Sequence, residues 1–348
     1  MPLPERSQIA HLRRMVESRV TRDTGRGTAN SRRQSGPAII AGIGDDCAVI
    51  RFPPGLDSLV TTDFTLENIH FRRDWHPAKA VGHRCLSRGL SDIAAMGGQP
   101  VAAFLSLALP RDLSQSWVRA FTSGLVKLAG QHGVVLAGGD TAQSPNGILA
   151  DIIVLGAIPK GQAILRSSAR VGDRIFVSGR LGGSAAALVE LTGRAPKKSD
   201  PRSYPGHFYP EPRIELGRIL RQRAIATAMI DTSDGLSTDL SHICEESGVG
   251  AEIDATRIPR ARIGKPAREV AFDLALHGGE DYELLFTVGR GKAVPQQLAG
   301  VALTEIGRIV NGRKIRLLDD RGGSRELKPH GWEHFKRQDS VRSMLTLP

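Results

Sequence analysis

Apolar runs of strand length that abut aspartate and a glycine-bearing turn recur along this chain. GIGDDCAVI sets Asp45 and Asp46 between a glycine turn and an apolar run, SLVTTD ends on Asp63, LAGGDT carries Asp140, and MIDTSDG carries Asp231 and Asp234. Both halves of the sequence repeat the pattern, and segments with helical spacing of apolar residues stand between the runs. Alternation of this kind specifies an α/β class, and in open α/β sheets ligands gather where strands end.

AIIAG, CAVIRF and SLVTTD read as strands, broken by the PPGLD turn. His76-Pro77 predicts a helix start and Gly97-Gly98 its stop. PVAAFLSLAL reads as a buried strand, SQSWVRAFTSGLVKLAGQHG as a helix capped by Ser114, and VVLAGGD and ILADIIVLGAI as strands. A second alternation runs through RIFVSG, GGSAAALVELTG, EPRIELGRILRQ, TAMID, LSTDLSHICEES, ELLFTV and LTEIGRIV. At ~150 residues per domain, 348 residues predict two domains. The Pro and Gly break in GAIPKGQAILRSSARVGD puts the cut near residue 160, giving an arm over 1–37, an N-terminal domain over 38–159 and a C-terminal domain over 160–348.

The arm earns its description from Arg19 to Pro37, a stretch rich in Arg, Ser, Thr and Gly that has too few large apolar residues to order itself. A transit peptide is a weaker alternative, because Glu5, Glu17 and Asp23 count against it. The net charge of +11 suggests nucleic acid until it is located. Residues 1–36 hold eight Arg against three acids, and residues 308–348 hold ten Lys or Arg against five, which leaves only +1 for everything between. Solvated ends explain the excess better than a nucleic-acid footprint, and aromatics at 5% give no stacking platform. Cys47, Cys85 and Cys244 are too scattered for a disulfide framework or a zinc site, and Cys47 reads as a small buried hydrophobe. With no membrane-length apolar run and no signal-peptide core, a cytoplasmic enzyme is expected.

Two unit charges ~4 Å apart repel by about 4 kcal/mol at an effective dielectric near 20, so converging aspartates need cations. Hard oxygen ligands with no His or Cys beside them select Mg2+, and Mg2+ held by few carboxylates implies phosphates completing its shell. For any one aspartate a turn or cap role is the plainer account; recurrence is what lifts the set. LAGGDT and SGRLGGSAA add glycine turns whose bare N–H groups suit an anion. No GxxxxGK[ST], no GxGxxG and no protein-kinase motif set occurs, so phosphoryl chemistry here needs another architecture. Asp92 differs from the others in lying within the helix that starts at Pro77, on the margin of its apolar stripe, where Arg88 four residues earlier is the ordinary partner.

GIGDDCAV, TTDFTLENIHF, LSDIAAMGG, LAGGDT, LRSSARVGD, IDTSDGLSTDL and HGGEDYELLF, in this order and spacing, resemble the thiamine-monophosphate kinase family, in the superfamily of aminoimidazole ribotide synthetase and selenophosphate synthetase. The resemblance covers roughly residues 38–335. It implies two α/β domains, a homodimer through a β-barrel built from the N-terminal domains, and direct transfer of the ATP γ-phosphoryl group to thiamine monophosphate with several Mg2+ ions. By the same resemblance Asp45, Thr61, Thr62, Asp63, Asp92, Asp140, Asp231 and Asp234 bind Mg2+, while Gly139, Asp140, Thr141, Arg166 and Ser233 contact the nucleotide. His70, Glu280 and Trp332 match positions that contact thiamine. Plainer roles stay open for these three: a strand residue for His70, a turn residue for Glu280 and a packing residue for Trp332. The superfamily's selenium enzyme needs a reactive Cys or selenocysteine near its start, and residues 1–36 contain no Cys.

Overall fold

A computed structural model describes residues 36–43, 47–192, 201–264 and 266–332, with residues 7, 14 and 335 singly. Asp45 and Asp46, and almost all of the basic arm over 1–37, lie outside the described residues. The chain divides into two compact units, one of Met1–Ala163 with Phe208–Arg218, the other of Ile164–His207 with Ile219–Pro348.

The first part of the chain supplies β1 (Ala38–Ala41), β2 (Val49–Arg51), β3 (Leu56–Leu66), α1 (Ala78–Ala95), β4 (Gln99–Pro110), α2 (Gln115–Gln131), β5 (Val135–Ser144) and β6 (Leu149–Pro159). Four of these strands form an open sheet in the order β3-β6-β4-β5, antiparallel except for the β4–β5 pair. Ser114 caps α2 as its sequence predicts, its hydroxyl accepting from Trp117 N–H. Helix α1 crosses α2 at two glycines: a Cβ on Gly82 would lie 1.9 Å from Phe121 O, and one on Gly124 1.9 Å from Lys79 O. Only bare backbone allows that approach, which buries Val81, Leu86 and Leu90 of α1 and Phe121, Leu125 and Leu128 of α2. Among the described residues β1 and β2 pair only with each other, and so small a ribbon buries little. Cys47 beside it is exposed, against the sequence expectation.

The rest of the chain supplies β7 (Arg174–Ser178), α3 (Gly183–Thr192), α4 (Ile214–Gln222), β8 (Ala226–Asp231), α5 (Leu236–Ser247), β9 (Gly250–Asp254), β10 (Arg262–Ile263), β11 (Arg268–Glu269), α6 (Phe272–His277), β12 (Leu284–Val288), β13 (Gln297–Leu298), β14 (Val301–Val310), β15 (Ile315–Leu318) and β16 (Ser324–Glu326). Its main sheet runs β16-β15-β9-β14-β7-β12-β8, with β13 attached to β14. Ile175, Ile230, Leu240, Ile243, Leu285 and Ile306 form the centre of its core. Strand β12 is buried at every position, as expected of a strand inside a sheet covered on both faces. No helix among the described residues is long and apolar enough to cross a membrane.

Candidate active site

In the first unit the acidic residues are assembled by a strand and a helix. β3 alternates its side chains, so Thr61 and Asp63 share one face while Val60, Thr62 and Phe64 share the other. The first face meets Asp92 on α1: Thr61 Oγ1 donates to Asp92 Oδ2, and Asp63 is hydrogen-bonded to Asp92. Burial pushes the Asp63 carboxyl up to about 7; the Asp92 charge adds to the rise and the Arg88 guanidinium offsets part of it. Arg88 also donates to Phe64 O at 3.0 Å, so it serves β3 and not only its own helix. The other face carries a further acid: Thr62 Oγ1 donates to Asp151 Oδ1 at 2.7 Å.

Register places Asp140 on the Phe64 and Asp151 face of the sheet, opposite the face that meets Asp92. Phe64 pairs with Asp151, Asp151 with Ser106, and Ser106 with Asp140, a row across the whole sheet. Gly139 before it sits at φ 143°, and a Cβ there would lie 1.9 Å from Leu105 O, so LAGGDT is glycine-rich because β5 presses on β4. Asp140 Oδ1 accepts from Thr141 N–H at 2.7 Å. His70 is a turn residue, not a strand residue: its Nδ1 accepts from Leu66 N–H at 3.0 Å, which puts the proton of the neutral ring on Nε2. Strand ends prove the wrong place to look for two of the acids, since Asp63 and Asp140 stand inside β3 and β5.

In the second unit Asp231 does end a strand, β8, and is buried. The turn after it gathers distant chain segments. Ser233 O accepts from Glu280 N–H at 2.8 Å, and Asp234 O accepts from Trp332 N–H at 3.1 Å. Gly331 N–H donates to Thr238 Oγ1 at 3.0 Å, fastening the Trp332 segment to the first turn of α5. Trp332 itself is 43% exposed. Arg166 lies in a short 3-10 turn whose carbonyl accepts from Ser247 Oγ at 2.8 Å, with the residue exposed.

Four acidic or basic residues beside these sites carry no sequence prediction as ligands. Asp151 and Arg88 flank Asp63. Asp239 is buried and accepts from Gly235 N–H at 2.9 Å; burial raises its carboxyl well above the usual range, and the Asp231 and Asp234 charges add to that. Asp281 occupies the SGRLGGSAA turn, its Oδ2 2.5 Å from Gly182 N and its Oδ1 3.1 Å from Ser184 N. The amides expected to be bare for a ligand anion thus hold the chain's own carboxylate. Asp151 opens an alternating strand and Asp239 follows Asp234 by five residues on a helix start, which are the only marks they leave in sequence.

Among the described residues no three His, Cys, Asp or Glu side chains form a ready metal cage. The donor set nonetheless fits Mg2+: a crowded carboxylate pair with hydroxyls beside it supplies a few hard oxygens, and this ion takes most of its remaining shell from water and phosphate.

Comparison with known proteins follows that chemistry. The AIR synthase related protein N-terminal domain model matches residues 44–158, and the corresponding C-terminal domain model matches residues 170–320. Thiamine-monophosphate kinase of Haemophilus influenzae is 40% identical over 250 residues, 71% of this chain and 74% of the relative. The crystal structure of the Stenotrophomonas maltophilia enzyme of that name superposes with a TM-score of 0.73 at 34% identity, over 88% of this chain and 95% of its own. A structure of AaThiL complexed with AMPPCP and TMP superposes with a TM-score of 0.71 at 32% identity, over 81% of this chain and 89% of its own.

Proposed function

This chain belongs to the thiamine-monophosphate kinase family and is a thiamine-phosphate kinase; from that premise we propose that it passes the γ-phosphoryl group of ATP directly and in line to thiamine monophosphate, with Mg2+, to give thiamine diphosphate. The observation that carries the Mg2+ requirement is the Asp63–Asp92 pair, two carboxyls that folding presses together. Such a pair is strained without a cation and relaxed with one.

Asp63, Asp92 and Thr61 at one face of the first unit's sheet, and Thr62 and Asp140 on the other, are the proposed metal ligands of that unit, with Asp45 added by resemblance, and Asp231 and Asp234 those of the second. Bound there, Mg2+ would neutralise phosphate charge and hold the reacting phosphates in line. The chain's own part is to bind and to orient. Gly139, Asp140 and Thr141, with Arg166 and Ser233, are proposed to contact the nucleotide phosphates, Arg166 through charge-assisted hydrogen bonds. His70, Glu280 and Trp332 are proposed to recognise thiamine, the Trp332 ring lying against a flat cation and the Glu280 carboxylate offsetting its charge or bonding its aminopyrimidine. No general base is needed, because the attacking phosphate oxygen already carries negative charge.

A homodimer is proposed as well. Val60 is 68% exposed and Phe64 54%, and their register partners Leu155 and Asp151, with Thr62, Ile153 and Phe104 between, make one largely apolar sheet face. Isolated apolar faces of this kind are usual at subunit contacts, and a second copy meeting this one would complete the expected barrel. Val60→Asp should shift the protein from dimer to monomer in light scattering after size exclusion, and an unchanged mass would remove the face from consideration.

The activity is tested by following thiamine diphosphate formation from ATP, Mg2+ and thiamine monophosphate, with formylglycinamidine ribotide as the competing substrate of the superfamily. Turnover of the latter alone would defeat the assignment, and turnover undiminished by excess chelator would defeat the metal.

A further inference from the structure

Residues 278–283 join α6 to β12 and include two left-handed residues that are not glycine, Glu280 at φ 64° and Tyr282 at φ 53°. Such conformations persist only where their surroundings over-determine them. Backbone bonds to the 232–233 turn do part of this. Glu280 N–H donates to Ser233 O at 2.8 Å, Tyr282 N–H to Thr232 O at 3.0 Å, and Glu283 O accepts from Thr232 N–H at 2.8 Å. The side chain between the two strained residues reaches a different element. Asp281 takes the Gly182 and Ser184 amides at the start of α3, so the segment is clamped between β8's turn and the glycine turn after β7.

The peptide planes on either side of Asp281 set ψ of Glu280 and φ of Tyr282, and the direction of the Glu280 side chain follows from its own φ. Release of Asp281 would let Glu280 relax toward negative φ and re-aim its carboxylate. We propose that Asp281 is a positioning residue: by filling the amide cradle ahead of α3 it locks Glu280 in its left-handed conformation and so aims the Glu280 carboxylate at the organic cation of the phosphate acceptor. This rests on the thiamine-binding role proposed above for Glu280. Burial pushes the Asp281 carboxyl up to about 7, with the amides of Gly182, Ser184 and Gly183 holding it down and the Glu283 charge adding to the rise.

The test is a double-mutant cycle on the full-length protein. Asp281→Asn keeps size and one acceptor oxygen but turns an amide NH2 toward the second donor. It should raise KM for thiamine monophosphate about tenfold while kcat and KM for ATP stay within about twofold. Glu280→Gln should raise the same KM, and the double variant should rise no further than Glu280→Gln alone, because Asp281 acts through Glu280. Asp281→Glu, which restores both acceptors on a longer stem, should recover part of the loss, and it carries the same readouts if the Asn variant does not fold. An unchanged KM, effects of the two substitutions that multiply, or a parallel change in both KM values and kcat would overturn the proposal while leaving the kinase assignment intact. If the wild type leaves thiamine monophosphate untouched, the kinase reading falls by itself, and amide hydrogen exchange then decides the positioning: faster exchange at Glu280 and Tyr282 in Asp281→Asn supports it, and unchanged exchange overturns it.

Discussion

Asp63 and Asp92 stand on a strand and a helix that face each other, whereas Asp231 and Asp234 stand at a strand end and in the turn beyond it. The first pair is held by regular elements whose Cβ directions are fixed by φ and ψ, so a substitution there changes charge and leaves shape alone. The turn that carries the second is held through its backbone, Ser233 O accepting from Glu280 N–H, Asp234 O from Trp332 N–H, and Gly235 N–H donating to Asp239 Oδ2, so its shape depends on distant segments of the chain. The first pair is therefore an electrostatic device and the second a geometric one.

That contrast can be broken most forcefully at Asp63. Asp63→Asn should cut turnover by about a hundredfold or more. In chelated protein the same change should raise the melting temperature by about 2 °C or more, because it removes a repelled buried carboxylate. Normal turnover at limiting Mg2+ would sink the metal role. Asp231→Asn should lose turnover to a similar order, about a hundredfold. Full activity there with none at Asp63→Asn would confine the chemistry to the first unit.

A smaller effect is expected from Trp332→Ala, about a tenfold rise in KM for thiamine monophosphate with kcat little changed, read by steady-state kinetics. A Trp332 that only packs the tail would show instead as a lower melting temperature with KM unmoved. Gly139→Ala should cost about 2 kcal/mol or more of stability, since Leu105 O blocks the Cβ and the φ disfavours it. Thermal unfolding measures this, and a melting temperature equal to wild type would mean that β5 yields.

The smallest expected effect is a slope with pH. Asp63 and Asp281 are pushed up to about 7 and Asp239 is raised well above its usual range, while unfolded carboxyls titrate near 4. Between about pH 4 and pH 7 these three carboxyls hold more protons folded than unfolded, so their part of the stability of chelated protein should fall as pH rises, while His83 and His277, whose rings burial pushes down, act the other way. The carboxyls shifted downward, such as Asp74 and Asp254, add stability as pH rises through the unfolded carboxyl range near 4, so the crowded acids are read most cleanly above about pH 5 and against Asp63→Asn as the reference. Mg2+ affinity should rise over the same interval, because the metal competes with a proton at Asp63. A melting temperature without metal whose dependence between about pH 5 and about pH 8 is the same in wild type and Asp63→Asn would contradict the crowding of Asp63.

Much of the fold is legible in the residues. Pro77 and Gly97-Gly98 bracket α1, Ser114 caps α2, and the apolar runs of β4, β6, β7 and β12 fall where their lengths predict. The motif aspartates are also legible as a set. Their mates are not, because Asp151 meets Asp63 and Thr62 only through the β3–β6 register, and a register is a property of two strands. The glycine turn before α3 misleads for a related reason: its amides do bind an anion, but that anion is Asp281, ninety-seven residues away from Ser184.

Composition and pattern by themselves determined the α/β class, the helix limits and the recurrence of aspartate beside glycine, since turn chemistry and side-chain periodicity are local. Tertiary structure decided which acids crowd together, which amides are already taken, and that Glu280 sits in a left-handed bend. Those are properties of distance in space, and repulsion, burial and hydrogen bonding act over a few ångströms regardless of how many residues lie between.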